Sequence, residues 1–330
     1  MAIKTKLQEI ENDVIDVVNT DFNYCSATEI PQRNDVQLTF ERGIQKKGKV
    51  ITTCVLYVDI RNSVDLTEKH HNITMGKIYT AFTKAVLKAA KHHNGHIRNI
   101  IGDRVMIVFP VKDCFTNAVD CAISINHIAQ YIIKKQFKNV DFKCGIGIDY
   151  GDLRIIKVGI QRNGTENTEN KALVWAGYPA NIASRLTDNA NKIIKETYYE
   201  VVRNPINYLY GLGGLKMPFS ATATPIPVNQ PYYSDNIETV EMTVAEFADN
   251  LRSHKSGELY MLGGKLINFS KKEKIYNYSP ILMTAAVYNG YKSNNSTRND
   301  IVKNYWKEQE HQIKNYTGKL FGGDLHWTIN

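Results

Sequence analysis

Residues 97–109, IRNIIGDRVMIVF, constrain the fold of this chain more tightly than any other segment. Two apolar runs flank a Gly102-Asp103 pair: Ile97, Ile100 and Ile101 on one side, and Val105, Ile107, Val108 and Phe109 on the other. This pattern predicts two buried strands joined by a tight turn, with Gly supplying backbone freedom and Asp the polar turn chemistry. It also places a carboxylate at the tip of an apolar hairpin and an amide, Asn99, inside its first strand. A buried charge is costly unless it is paired or bound to a cation, so both residues need a chemical reason.

The surrounding pattern is mixed α+β. Leu7, Ile10, Val14, Val17 and Val18 recur at helical spacing over residues 3–19. The β-rich run VITTCVLYVDI ends at Asp59-Ile60 and precedes an amphipathic helix with inner positions Met75, Ile78, Phe82 and Leu87 and a stop at Gly95. After the hairpin come a second helix (Ala118, Cys121, Ile125, Ile128), the strand VDFKCGIGIDYG, a polar insert QRNGTENTENK and a helix in AGYPANIASRL. IIKETYYEVV reads as a strand followed by a helix start. Four of the nine prolines (Pro218, Pro225, Pro227, Pro231) fall in one short stretch, which marks a linker. With 330 residues the chain can hold two cores. The expected organisation is a lead-in helix and segment (1–48), a catalytic domain (49–210), a Pro-rich linker (211–238) and a sensor-like or regulatory C-terminal α+β domain (239–330). That last domain should carry a helix over 244–253, a hairpin at Gly263-Gly264 and an amphipathic helix near Trp306.

No apolar run is long enough to cross a bilayer, and the N-terminal stretch has no signal-peptide core, so the cytoplasm is the expected location and no membrane partner is expected. The net charge of +8 suits polyphosphate substrates. Its lysines are dispersed, the densest group being Lys46, Lys47 and Lys49, and no basic stripe interleaves with aromatics. Nucleic acid is therefore not the expected partner. Cys25, Cys54, Cys114, Cys121 and Cys144 form no CxxC pair, which points to core cysteines rather than zinc ligands. His70, His71, His92 and His93 sit near helix ends and read as solvated.

Asp59, at the end of a buried strand, and Asp103, at the hairpin tip, are the two carboxylates that stand out. Oxygen ligation by two such carboxylates suits Mg²⁺ or Mn²⁺ shared with substrate phosphates, although Asp103 taken singly is an ordinary turn residue. Asn181 and Arg185 lie four apart and share a helix face, an amide and a guanidinium that suit a sugar and a phosphoryl group. A solvated helix face is the plainer reading of that pair.

YVDI (57–60), IIGDRVMIVF (100–109), GIGIDYG (145–151) and GYPANIASRL (177–186) stand in the order of the class III nucleotidyl cyclase blocks, and residues 50–200 resemble that family. The resemblance implies a ferredoxin-like, palm-type α+β domain with an antiparallel-rich sheet and flanking helices. It implies two divalent metal ions, Mg²⁺ or Mn²⁺, about 4 Å apart, held by Asp59, Asp103 and the carbonyl of Ile60. It further implies that Asn181 orients the ribose, that Arg185 stabilises charge on the α-phosphoryl oxygens, and that a homodimer forms two composite sites.

In that family the residue three before the hairpin glycine, and the one seven before the helix asparagine, read the base. Adenylate cyclases typically carry Lys at the first position and guanylate cyclases Glu, while the second is typically Asp or Thr in adenylate cyclases. Here they are Asn99 and Val174, so neither purine pattern is present. Strand alternation puts Tyr57 on the Asp59 face, where a phenol could meet a pyrimidine edge; a half-buried structural tyrosine fits equally. After Asp59, Arg61-Asn62-Ser63-Val64 also departs from the usual x-Gly-Phe-Thr. The pattern resembles the pyrimidine cyclases of the Pycsar antiphage system. That resemblance implies conversion of CTP to 3′,5′-cyclic CMP and diphosphate, CTP being preferred for the long C-terminal extension, and a separate effector that responds to the cyclic nucleotide. A uridylate cyclase acting on UTP is the alternative, followed by an adenylate cyclase and by a catalytically silent nucleotide sensor. FGGDLHW (321–327) and YGLGGLKMP (210–218) lack the context of a GGDEF or phosphate-loop motif.

Overall fold

The computed structural model describes residues 3–162, 165–166, 171–207, 233–234, 236–253, 255, 257, 259–310 and 313–329. Most of the Pro-rich linker, the YGLGGLKMP stretch and most of the polar insert lie outside these residues. The chain divides into two compact units, residues 1–192 with 277–330, and residues 193–276.

The first unit is organised by two long strands, β2 (Lys46–Ile60) and β5 (Cys144–Val158), paired antiparallel from Lys49↔Ile155 to Ile60↔Cys144. On β2, Cys54, Leu56, Val58 and Ile60 point to one face, and Ile51, Val55, Tyr57 and Asp59 to the other. The hairpin strands β3 (His96–Ile101) and β4 (Arg104–Val108) extend the sheet beyond β2. Gly102 has φ +61° while Asp103 keeps a negative φ, the signature of a II′ turn. On the first face, β4 and β5 add Val105, Ile107, Ile146 and Ile148 to the main core. Helices α3 (Asn72–His92) and α4 (Cys114–His127) cover it with Met75, Ile78, Phe82, Val86, Ala118, Cys121 and Ile125. On the other face Ile51, Val55, Met106, Val108, Leu153 and Ile155 pack against Ala180 and Ala183 of the helix Tyr178–Asn189, which carries the GYPANIASRL motif.

Several expectations are corrected. Leu87 points outward; Val86, four residues after Phe82, takes the buried position because a helical face recurs at three or four residues, not five. Ile100 and Ile101 are 45% and 65% exposed, since β3 is the sheet's outer strand in this chain. The segment IIKETYYEVV is strand throughout, within Ile193–Pro205. The helix starting at Val244 stops at Asn250 and gives way to the strand Leu251–Ser253. Trp306 lies between the short helix Asn299–Val302 and the strand Lys307–Gln309, packed in the main core rather than on an amphipathic helix. His93 is half-buried and shares a hydrogen bond of 2.8 Å with Ser124, and burial drops its pKa to about 4. Cys54, Cys114, Cys121 and Cys144 are buried free thiols, as expected, while Cys25 is exposed.

The largest difference concerns domain organisation. Residues 277–330 do not join a separate C-terminal domain. The strand Ile281–Thr284 pairs parallel with β5 (Ile281↔Ile146), and Leu320–Gly323 pairs antiparallel with that strand in turn. Ile281, Leu282 and Met283 are fully buried, and their apolar character is what draws the chain back into the first sheet. The second unit is a five-stranded sheet with the helix Val244–Asn250, whose Thr243 and Glu246 form a reciprocal N-terminal cap. Its small core holds Val201, Met242, Phe247 and Met261, and the expected hairpin at Gly263-Gly264 is present through Met261↔Gly264.

Candidate active site

Strand pairing brings the conspicuous residues to one face. Tyr57 on β2 lies opposite Met106 on β4, and Met106 lies opposite Asn99 on β3. A register shift between Ile97 and Asn99 makes Arg98 an extra residue in β3. Without this bulge Asn99 would oppose Val105 and face the main core; with it, Asn99 joins the Tyr57–Met106 row and is exposed. Two residues further along, Asp59 and Arg104 meet across the strands. Arg104 Nη2 and Nε donate to Asp59 Oδ2 at 2.7 and 3.2 Å.

The carboxylates of Asp59 and Asp103 act on each other. Burial, and then the charge of Asp59, pushes the Asp103 carboxyl above the usual range, opposed by a hydrogen bond from Ser63. Asp59 Oδ1 and Asp103 Oδ2 are both buried and have no hydrogen-bond partner. Two interacting carboxylates that each keep an orphaned buried oxygen are unfavourable alone and suit an oxygen-ligated divalent cation. Ile60, the third expected contributor, ends β2 with its side chain in the core, which leaves only its carbonyl for such a role. Among the described residues no three His, Cys, Asp or Glu side chains cluster as a metal centre, so any cation would share its coordination with water or substrate.

The motif helix is held onto this face by close contacts. A Cβ at Gly147 would collide with the Ala183 carbonyl and the Thr187 amide, so only glycine lets the helix backbone approach β5 there. Thr187 Oγ1 donates to the carbonyl of Tyr57 at 3.0 Å, and the buried Arg61 donates to the carbonyl of Thr187. Arg104 Nη1 donates to Ser184 Oγ at 2.9 Å, and Nη2 also meets the Asp188 carboxylate. Sequence reasoning does not single out Arg104, Ser184 or Asp188. Their only signal is an arginine directly after Asp103 and a Ser/Asp pair four apart on the motif helix.

Asn181 and Arg185 occupy the neighbouring arc of that helix. Asn181 is exposed in its first turn. Arg185 Nη1 donates to the carbonyl of Lys314 at 3.0 Å, whereas Asp59 of the carboxylate pair is engaged by Arg104. Val174 is 42% exposed on the strand Ala172–Ala176, opposite Ile156. Its neighbour Trp175 lies under the Arg98 guanidinium at 5.3 Å, so positions 99 and 174 each adjoin one member of a contacting pair. Tyr57 is half-buried on the Asp59 face, and burial raises its phenol pKa.

The sequence is 29% identical over 192 residues to the uridylate cyclase of Burkholderia cepacia, covering 56% of this chain and 79% of that protein. The chain is thus similar in sequence to a protein named as a pyrimidine nucleotide cyclase. A second pyrimidine-cyclase relative, the uridylate cyclase of Rhodovulum sp. (strain MB263), is 27% identical over 190 residues, 54% of this chain and 73% of that one. The cytidylate cyclase of Staphylococcus aureus is 30% identical over 119 residues, 33% of this chain and 28% of that one. No family model matches the chain. Among solved structures, the adenylyl cyclase CyaB from P. aeruginosa aligns over 83% of this chain and 94% of its own, with 12% identity and a TM-score of 0.44.

Proposed function

We propose that this protein is a pyrimidine nucleotide cyclase whose favoured substrate is UTP, giving 3′,5′-cyclic UMP and diphosphate. The observation that carries the reading is the carboxylate pair Asp59–Asp103 with its two orphaned oxygens, set beside a Tyr57–Met106–Asn99 row free of the purine-reading Lys or Glu. The expectation of CTP rests on residues 239–330 being a separate sensor domain. Residues 277–330 instead complete the first unit, and the relatives matched over most of their own length are named uridylate cyclases. CTP is the second reading, supported by the partial match to a cytidylate cyclase.

In the reaction the ribose 3′-oxygen bonds to the α-phosphorus as the bond from that phosphorus to the bridging oxygen of diphosphate breaks, and the hydroxyl proton leaves to solvent. Asp59, Asp103 and the Ile60 carbonyl would hold divalent cations, Mg²⁺ or Mn²⁺, which when bound supply charge neutralisation and acidify the attacking hydroxyl. Tyr57 and Asn99 offer a phenol and an amide to the pyrimidine edge, and an amide can both donate and accept. Val174 contributes no polar partner at the second base-reading position. Asn181 and Arg185 would position the ribose and the α-phosphate. Asn181 is exposed and Arg185 partly exposed on the motif helix, a placement that suits presentation to a second protomer and would make the site composite in a homodimer. Action in the cytoplasm, with the product serving as a second messenger for a separate antiphage effector, completes this reading.

Purified protein incubated separately with each of the four nucleoside triphosphates and Mn²⁺ or Mg²⁺, with products identified by mass, tests it. Cyclic UMP is the expected main product. Product from ATP alone would overturn the pyrimidine assignment, and no product from any nucleotide would favour the silent sensor. Asp59→Asn and Asp103→Asn should each lower turnover by at least about 10²-fold, the scale of losing one charge-stabilising group.

A further inference from the structure

The register that sets Val58 against Val105 puts Asp59 and Arg104 side by side, at the end of β2 and the start of β4. The guanidinium is held there on three sides. Nη2 and Nε donate to Asp59 Oδ2 at 2.7 and 3.2 Å, Nη1 donates to Ser184 Oγ at 2.9 Å, and Nη2 also meets the Asp188 carboxylate. The Arg104 side chain is only 27% exposed, and a guanidinium stays ionised throughout the working pH range. The carboxylate oxygens left open can be counted. Asp59 keeps Oδ1 without a partner, and Asp103 keeps Oδ2. The hydrogen bond that Asp103 accepts from Ser63 therefore falls on its Oδ1. Each carboxylate is left with one free oxygen. A carboxylate that bridges two divalent ions about 4 Å apart ordinarily gives one oxygen to each, so this pair lacks the oxygens for two. It has enough for a single ion that completes its shell with the Ile60 carbonyl, water and phosphate oxygens.

We propose that the site takes one divalent cation per chain and that the Arg104 guanidinium stands where a second would bind. This departs from the two ions that the family resemblance implies. The chemistry of the side chain favours it in that place. It grips one carboxylate oxygen with two N–H bonds, needs none of the dehydration that Mg²⁺ resists, and carries a charge that cannot dissociate from the chain. A second ion would have to displace the guanidinium from Asp59, and with it the contacts to Ser184 and Asp188. Left in place, Arg104 supplies beside the substrate phosphates the positive charge that a second ion would bring. The inference rests on the proposed cyclase reading only in placing a nucleotide there. The count of ions rests on the carboxylates alone.

Mn²⁺ titrated into the full-length protein and followed by electron paramagnetic resonance counts the ions. One series uses Mn²⁺ alone, and a second adds α,β-methylene-UTP, whose P–C–P bridge blocks departure of diphosphate. The wild type is expected to hold one Mn²⁺ per chain that is lost in Asp103→Asn, with no spin-coupled pair in either series. Arg104→Met is expected to take a second Mn²⁺ close enough to the first for the two to couple. A spin-coupled pair in the wild type would overturn the single-ion site while leaving the cyclase reading intact. No Mn²⁺ on the wild type in either series would overturn both, so the two failures are told apart. A folded Arg104→Met protein that still holds one uncoupled ion would show that Arg104 keeps no ion out, and would overturn the proposal. Arg104→Gln repeats that arm with a polar side chain, and the wild-type spectrum decides the count whether or not either variant folds.

Discussion

Arg104 Nη2 lies 2.7 Å from Asp59 Oδ2, while the other oxygen of the same carboxylate is buried with no partner. One half of Asp59 is thus neutralised by a resident cation and the other half is open. The guanidinium also spans to Ser184 and Asp188, so a single side chain links β2, β4 and the motif helix.

Replacing this residue should separate binding from stability. Arg104→Met frees Asp59 Oδ2 and removes a positive charge, so Mn²⁺ is expected to bind more tightly by calorimetry. The same change leaves the partly buried Asp59 less well paired and unties the motif helix, at a cost of about 1–3 kcal/mol in urea unfolding. Unchanged or weaker Mn²⁺ affinity would show that Arg104 does not compete for the carboxylate.

The proposed composite sites make a counting prediction. Asp103→Asn and Arg185→Ala protomers are each expected to be inactive alone. Mixed and allowed to exchange, they should recover about a quarter of wild-type turnover, because half of the dimers are mixed and each holds one intact site. No recovery on mixing would place all of the reacting groups within one chain.

The base-reading role proposed for the Tyr57–Met106–Asn99 row can be probed at its phenol. Tyr57→Phe keeps the ring that packs beside Val55 and Met106 and deletes only the hydroxyl. It should lower kcat/KM for the pyrimidine substrate by about tenfold, the value of one hydrogen bond, with little change in melting temperature. Unaltered kcat/KM would make Tyr57 a packing residue.

Asp149 governs a pH effect remote from the carboxylate pair. Burial pushes its carboxyl up to about 6, against the hydrogen bond donated by Thr284 Oγ1 at 2.7 Å. The folded-state value lies above the ordinary 3.8, so the folded protein prefers the protonated form. That contribution is complete below about pH 4 and is lost as pH rises through about 6. Asp149→Asn should flatten the pH dependence of unfolding across this window and stabilise the protein at neutral pH by up to about 3 kcal/mol. An unchanged slope would show that Asp149 is ionised throughout.

The alternation of β2, the Gly102-Asp103 corner and the motif helix were readable because each depends on local chemistry: strand period, turn residues and an apolar stripe with Pro179 near its start. Asp59 and Asp103 were found for the same reason, as charges out of place in apolar runs. What sequence did not yield depends on pairing between distant segments. The bulge at Arg98 changes which face Asn99 occupies, and nothing in IRNII specifies it. Arg104 acquires its meaning only when β4 lies beside β2 and beneath Asp188. The four-residue strand Ile281–Thr284 is too short to announce a partner, and that partner, β5, precedes it by more than a hundred residues.

The Tyr278 amide donates to the Lys192 carbonyl at 3.0 Å, so the chain departs from the first unit and re-enters it at nearly one point. During synthesis, Gly147 and its neighbours emerge long before residues 281–284 that will lie beside them. The nascent chain must therefore make the whole of its inserted unit before the first sheet can close. A ribosome stalled anywhere in residues 193–276 would leave β5 with an open edge and Asp149 without Thr284, and hence a first unit that has not yet been assembled.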